Sequence, residues 1–381
     1  MKITHQEQFA MTAKRFHSHI FLVTLALVFL AGPGALANVF EVQGVPVDVT
    51  ADNAAQARNE ALAHGQDEAF RRLLERLTLK EDVEKLPEPG SLVVTEFVSD
   101  FAISNEKAST VRYLANLNVR FKATPVRRLL RELGIRFAET TSKPILILPV
   151  FQGLAGVLLW EDANTWRKAW NLRPVRSGLV RIALPLADLA DISGLHVQHA
   201  VSGNVDRLTG LAMRYRAGDT LVSFARIDHD PISGSRRLKI SNTRYSSRKE
   251  PVTELVVLPL TSDEPLEALM LRAVDSVASK LEEDWKQENL LHHDGEWVSA
   301  VTVPISSLND WLDVKKRLES VSVIRRTVMV LMSLDEVRIN LHHVGASDQL
   351  QTALGQADLA MVREDDEWVL YPAGLIPLSK S

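Results

Sequence analysis

Between residues 54 and 77, apolar positions recur at helical spacing. Leu62, Ala69, Leu73 and Leu77 fall on one face, with Phe70 and Leu74 beside them. The pattern predicts one long amphipathic helix. Ala61, Gly65 and Ala69 form a stripe of small residues that lets another element come close. A short run before it, carrying Val39, Val45, Val47 and Val49, reads as a strand. After Pro87, Pro89 and Gly90 the period changes to two. Val111, Tyr113, Ala115, Leu117, Val119 and Phe121 alternate with mostly polar partners, the mark of a strand with one buried and one wet face. Thr124 is placed as the cap of a following helix, with Pro125 in its first position and Gly134 at its end.

The polar run Glu139-Thr140-Thr141-Ser142 reads as a linker to a second segment. That segment opens with Ile145-Leu146-Ile147-Leu148-Pro149-Val150, whose unbroken apolar run fits a strand buried on both faces. A tryptophan-bearing helix is predicted around Asp162 to Trp170, and a strand from Leu179 to Leu186. A helix with Val205, Leu208, Ala212 and Tyr215 on one face closes at Gly218. Strands at Thr220–Ile227, Arg237–Tyr245 and Leu255–Leu260 follow, the first two joined by a turn at Pro231-Ile232-Ser233-Gly234. Leu266 to Trp285 is a closing helix.

A third segment alternates strand, helix, two strands, helix, strand. Its strands are centred on Val301, on Thr327–Ser333, on Val337–His343 and on Leu359–Val362, and Ser307 and Ser347 are its helix caps. With Trp368–Tyr371 as a further last strand, that order is ferredoxin-like with one extra edge strand. The expected fold class is therefore α+β and α/β: three small mixed-sheet domains in series, at residues 38–135, 143–289 and 295–376.

Residues 1–37 differ in kind. Lys14 and Arg15 precede an apolar run from Ile20 to Ala31, and Ala35-Leu36-Ala37 supplies small residues at a cleavage site. The run is about 12 residues, whereas a bilayer-spanning helix takes roughly 20. The pattern predicts a cleaved signal peptide, a product beginning at Asn38, a periplasmic address and no stable membrane insertion after cleavage. The chain has no cysteine, which excludes disulfides, thiolate metal sites and a lipid-bearing cysteine after the signal. Its net charge is −4, which gives no bulk attraction to nucleic acid.

Four strings resemble a proteobacterial envelope family known as domain of unknown function 2066. They are NVFEVQGVPVDVTADNAAQARNEAL, KPILILPVF, LWEDANTWRKAW and LEEDWKQ. The middle segment, through KPILILPVF and LAMRYRAGDTLVSFARI, is also similar to TolB amino-terminal domains and to domains of that style in flagellar assembly protein T and in outer-membrane lipoprotein activators of penicillin-binding proteins. Where many such domains read Gly-Ala-Asp, this chain has Arg216-Ala217-Gly218-Asp219. The resemblance implies an envelope accessory protein and brings no established reaction with it.

The chain carries no nucleophile elbow, no H-E-x-x-H helix, no P-loop and no G-x-G-x-x-G. No cofactor and no metal are expected. His196 and His199, the Asp228-His229-Asp230 run, His292-His293 and His342-His343 have ligand chemistry without a diagnostic frame. Ser202-Gly203-Asn204 precedes a helix and offers N–H groups to an anion. The strongest candidate binding surface is aromatic. Trp166 and Trp170 share a helix face, Trp160 is close by, and Arg167, Lys168, Arg173 and Arg176 surround them. These residues offer a platform for a partner, but aromatic residues at helical spacing usually pack a helix on its sheet, which would leave Trp160 the more exposed and the basic residues on the solvated face. The reading that follows is a non-enzymatic periplasmic adaptor contacting an envelope protein. The alternative is a soluble binder of a small envelope ligand such as a peptidoglycan fragment.

Overall fold

The computed structural model describes residues 38–154, 156–174, 177–229, 236–246, 250–261, 264–291 and 295–375. The expected signal peptide (1–37), Arg176, Asp230, the turn at 231–234 and His292-His293 lie outside the described residues. The described residues form a mixed α+β structure with three sheets. No helix among them is long and apolar enough to cross a membrane.

The first sheet has the order β1-β3-β2, built from β1 (Glu41–Thr50), β2 (Val98–Ala108) and β3 (Arg112–Phe121). Both of its pairings are antiparallel. Helix α1 (Ala54–Leu77) spans the predicted residues and lies on β1 and β3. Gly65 is what allows that approach. A Cβ there would fall 2.3 Å from Leu117 Cδ1 and 2.7 Å from Val47 Cγ1. Helix α2 (Ala123–Glu132) begins two residues before the expected start, so Thr124 and Pro125 lie inside its first turn and Lys122 is the uncapped flank. Gly134 ends it in the left-handed region, at φ 68°.

The middle sheet has the order β5-β4-β7-β8-β9. Its strands are β4 (Ile145–Gly153), β5 (Gly156–Leu158), β7 (Asp219–His229), β8 (Arg236–Ser246) and β9 (Val252–Pro259). The strand expected at Leu179–Leu186 is reduced to β6 (Ile182–Ala183), a two-residue parallel pairing with β4. Ile145 to Phe151 are all buried, as an unbroken apolar run requires when both faces are covered. On one face α3 (Thr165–Leu172) and α7 (Leu266–Glu288) pack with Ile145, Ile147 and Leu221. On the other lie three short helices, α4 (Leu189–Gly194), α5 (Val197–Ser202) and α6 (Val205–Arg214), over Leu146, Leu148, Val150 and Val222.

The third sheet has the order β11-β12-β10-β14-β13. It comprises β10 (Glu296–Pro304), β11 (Ile324–Met332), β12 (Glu336–Val344), β13 (Leu359–Glu364) and β14 (Glu367–Pro372), with helices α8 (Leu308–Glu319) and α9 (Ser347–Gln356). The sheet holds five strands, with β14 next to β10. The tight turn at Asp365 and Asp366, both at positive φ, folds β14 back between β13 and β10, where it runs parallel to β10. The edge position goes to β13, the strand that follows the second helix.

The supposed linker after Ala138 is buried. Glu139, Thr140 and Ser142 are all inside the structure. Ser142 N–H donates to Leu179 O at 2.8 Å, and Trp285 Nε1–H donates to Thr140 O at 2.6 Å. A polar run reads as a solvated connector only while its partners are unknown. Here each group finds one in another segment. The apolar cores of the first and third segments also merge into a single cluster, from Leu117 through Leu291 to Leu370.

Candidate functional site

Helix α3 is fixed at its start by Asn164, which is fully buried. Its Oδ1 accepts from Arg167 N–H at 2.9 Å, and its Nδ2 donates to Pro149 O at 2.8 Å, so the cap ties the helix to strand β4. This geometry turns Trp166 and Trp170 into the core. Both are buried, their rings meeting edge-to-face with centroids 5.8 Å apart. Trp166 Nε1–H donates to Ser223 O at 3.1 Å. These two indoles therefore do not form a partner platform. Their shared face looks at the sheet, the usual fate of aromatic residues at helical spacing.

The basic residues around them separate. Lys168 is exposed. Arg167 keeps only 18% of its side chain exposed and reaches Asp162 at 3.4 Å. It does not point freely to solvent, as a solvated helix face would require. Arg173 is half-buried and lines a cleft on another side of the segment. Arg167→Glu is accordingly expected to cost about 1–3 kcal/mol. Lys168→Glu should stay within about 0.5 kcal/mol. Thermal unfolding of the two variants side by side tests the placement, and equal melting temperatures would contradict it.

Trp160 is brought to a different surface. It is half-buried on the opposite face of the sheet, where its Nε1–H donates to Leu195 O at 2.7 Å. It thereby pins the junction of α4 and α5. Leu195, Ala200, Leu208 and Leu211 fill the inner side of this helical layer. Its outer side is apolar too. Leu186 and Leu189 are 76% and 85% exposed, and Ile192, Val201, Val205 and Met213 are exposed beside them in sequence. Scattered surface leucines need no explanation, but a run of this density over three short helices is unusual for solvent-facing surface.

A buried polar brace holds the turn that displays them. Asp191 is fully buried and accepts from Arg214, from Tyr215 O–H at 2.6 Å and from Ala187 N–H at 2.9 Å. Tyr215 Oη in turn accepts from Leu186 N–H at 2.8 Å. Asp188 caps α4 through Asp191 N–H and pairs with Arg214 as well. The Arg214 hydrogen bonds, helped by the Asp191 N–H, hold the Asp188 carboxyl at about 2, so it stays ionised at any ordinary pH. Burial and donation to Asp191 push the Tyr215 phenol up. Within this brace Ala187 sits at φ 59°, a left-handed conformation that non-glycine residues avoid. The backbone conformation that presents Leu186 and Leu189 is thus fixed by side-chain contacts rather than by intrinsic preference.

The other candidates find plainer roles. His199 Nδ1 accepts from His196 N–H at 3.2 Å, closing the first turn of α5. His343 is buried against Ser299 Oγ at 3.0 Å, and burial lowers its basicity, while His342 lies on the opposite sheet face. Among the described residues no group of three or more His, Asp or Glu side chains is placed to hold a metal. The Ser202-Gly203-Asn204 turn has used its N–H groups: Gly203 N–H goes to Ala200 O, Asn204 N–H to His199 O, and Asn204 Oδ1 caps α6 at Arg207 N–H.

Sequence reading missed a charged cleft of about 600 Å³ between α1 and α7. Two buried cations form part of its wall. Arg76 donates to Val39 O, Glu41 O and Ser177 O, and Lys286 Nζ donates to Glu75 O and Thr78 O, both at 2.8 Å. Lys286 therefore sits at the carbonyl end of α1, where a helix favours a cation. Glu282 accepts from Leu179 and Val180 N–H, and Glu283 from Lys80 N–H. Each charged head is used to satisfy backbone, and those of Lys286 and Glu283 satisfy backbone of the first segment. The acidic and basic spacing on the two helices was visible in sequence, but nothing there said that it faced inward.

No protein-family model matches this chain, and no curated protein matches it. Among solved structures it is similar to a PelC dodecamer, a point variant, from Paraburkholderia phytofirmans. The identity is 12% over 38% of this chain and 91% of that one, with a TM-score of 0.23. A likeness at that score carries no argument about this protein.

Proposed function

We propose that this chain is a non-enzymatic accessory protein of a bacterial envelope that works by protein–protein contact, and that the α4–α6 layer is its docking surface. The observation that supports this is the braced turn at Ala187, which holds Leu186 and Leu189 in solvent at the cost of a disfavoured backbone conformation. A rigid apolar display surrounded by polar groups suits a partner that supplies an apolar pocket. The periplasmic address rests on the order of charged, apolar and small residues in 1–37. The resemblance to the envelope family, with a TolB-amino-terminal style in the middle segment and a ferredoxin-like order in the third, modified by β14, belongs to the same reading.

Leu189→Asp tests it. Tagged protein purified from its native envelope should carry a stable partner. The variant should lose it by about 2 kcal/mol of affinity or more, the scale of an interface hot spot. Its unfolding transition should not move, because Leu189 stands outside the core. Full retention of the partner by the variant would remove the surface from consideration. The cleft between α1 and α7 favours a second reading, a binder of a small polar envelope ligand. A small molecule retained through purification and released on denaturation, detected by mass spectrometry, would favour that reading.

A further inference from the structure

Strand β11 is an edge strand, paired with β12 and, among the described residues, open on its other side. Its stretch from Thr327 to Met332 holds no charge and no proline, the usual guards of an open edge. A register shift between Met329 and Leu331 is the one edge device in that stretch. Met329, Val330, Leu331 and Met332 are all exposed, with Val330 at 62%, and Leu334 in the following turn is 95% exposed. The register places Met329 opposite Ile339 and Leu331 opposite Arg338, so apolar side chains emerge on both faces of the sheet. The surface continues onto α8. Ile305 N–H donates to Asp335 O at 2.9 Å, which holds the start of that helix beside the β11–β12 turn, and Leu308 and Leu312 are exposed there.

We infer that β11 is the pairing edge for a second copy of this chain, aligned antiparallel about a two-fold axis near Val330. The ends of the strand select that partner. The leading end carries exposed Arg326, and the turn at the trailing end carries exposed Asp335. An antiparallel copy brings the arginine end of one strand to the acidic turn of the other, whereas a parallel copy stacks arginine on arginine. Pairing joins two five-stranded sheets into one and gives the open N–H and C=O groups of β11 partners. This surface is separate from the α4–α6 layer, so the two readings stand or fall independently.

The absence of cysteine makes a direct test available. Val330→Cys in the full chain should oxidise to a disulfide-linked dimer in high yield, and a short bismaleimide should link it equally well. Asp162→Cys, at a fully exposed position, should give only the background of random collision. The unmodified protein should sediment as a dimer, Val330→Lys should be a monomer with unchanged far-ultraviolet circular dichroism, and Leu189→Asp should remain a dimer. A monomeric parent, with Val330→Cys cross-linking no better than Asp162→Cys, would overturn the inference. So would a different protein copurifying with the parent and lost from Val330→Lys, because the edge would then belong to a foreign strand.

Discussion

Trp166→Ala is expected to lower the stability of the chain by about 3–5 kcal/mol. The side chain is fully buried between strand β7 and helix α7 in the same cluster as Ile147, Leu221, Met270 and Ala273. Its N–H reaches Ser223 O, and Ser223 Oγ–H goes on to Asn242 Oδ1 at 2.7 Å, so removal opens a cavity and disturbs a buried polar chain as well. Trp170 loses its edge contact at the same time. Trp166→Phe keeps most of the volume and should fall between alanine and the parent. The urea midpoint, followed by circular dichroism, measures all three. A loss below about 1 kcal/mol for the alanine variant would mean that the helix does not face the sheet, since surface changes fall in that range.

Glu139→Gln should be comparably severe, at about 3–5 kcal/mol. Glu139 is fully buried. One oxygen accepts from Arg127 at 2.8 Å and the other from Arg325 at 2.7 Å. Burial pulls the Arg127 guanidinium below its usual range, and the Glu139 charge opposes that shift. Neutralising the carboxylate leaves two guanidinium groups facing each other with no charge between them. The three residues come from helix α2, the connector and strand β11, so the loss is felt in more than one segment. Limited proteolysis provides an independent readout. The parent should resist cutting at 139–143, and Glu139→Gln should become sensitive there. An unchanged urea midpoint together with an unchanged cleavage pattern would show that the connector is held by something else.

Periodicity carried much of the fold. Helix α1 and strands β3, β4, β7, β8 and β9 were readable because each repeats its pattern over six residues or more. The short helices were not. Helices α4 and α5 are too brief for a periodic stripe, and Leu179–Leu186 is apolar enough for a strand but pairs only at Ile182 and Ala183. Inward charges were the larger failure. Glu139 read as part of a linker, and nothing singled out Arg76, Asp191 or Lys286, because a sequence shows a charge without the distant carbonyl or counter-ion that lets it be buried. The tryptophan pair was correctly located on one helix face, but the direction of that face depended on Asn164 and its contact with Pro149, which spacing does not encode. Trp160 alone of the three indoles reached a surface layer, and Leu186 and Leu189 within that layer had no sequence signal beyond being apolar.

Lys286 bears on the order in which the chain assembles. The carbonyls it satisfies belong to Glu75 and Thr78, and Glu283 similarly waits for Lys80 N–H, across 203 positions or more in each case. A chain delivered amino terminus first therefore holds an unfinished helix end and an empty counter-position for most of its emergence. Until residues 283–286 arrive, the carbonyls of Glu75 and Thr78 lack their lysine, and the opening segment is a guest without its host. Contacts of such sequence range slow the search for the native state and lengthen the time in which open strands are at risk. A protein wired this way leaves its opening segment exposed to its neighbours until residues 283–286 have been delivered.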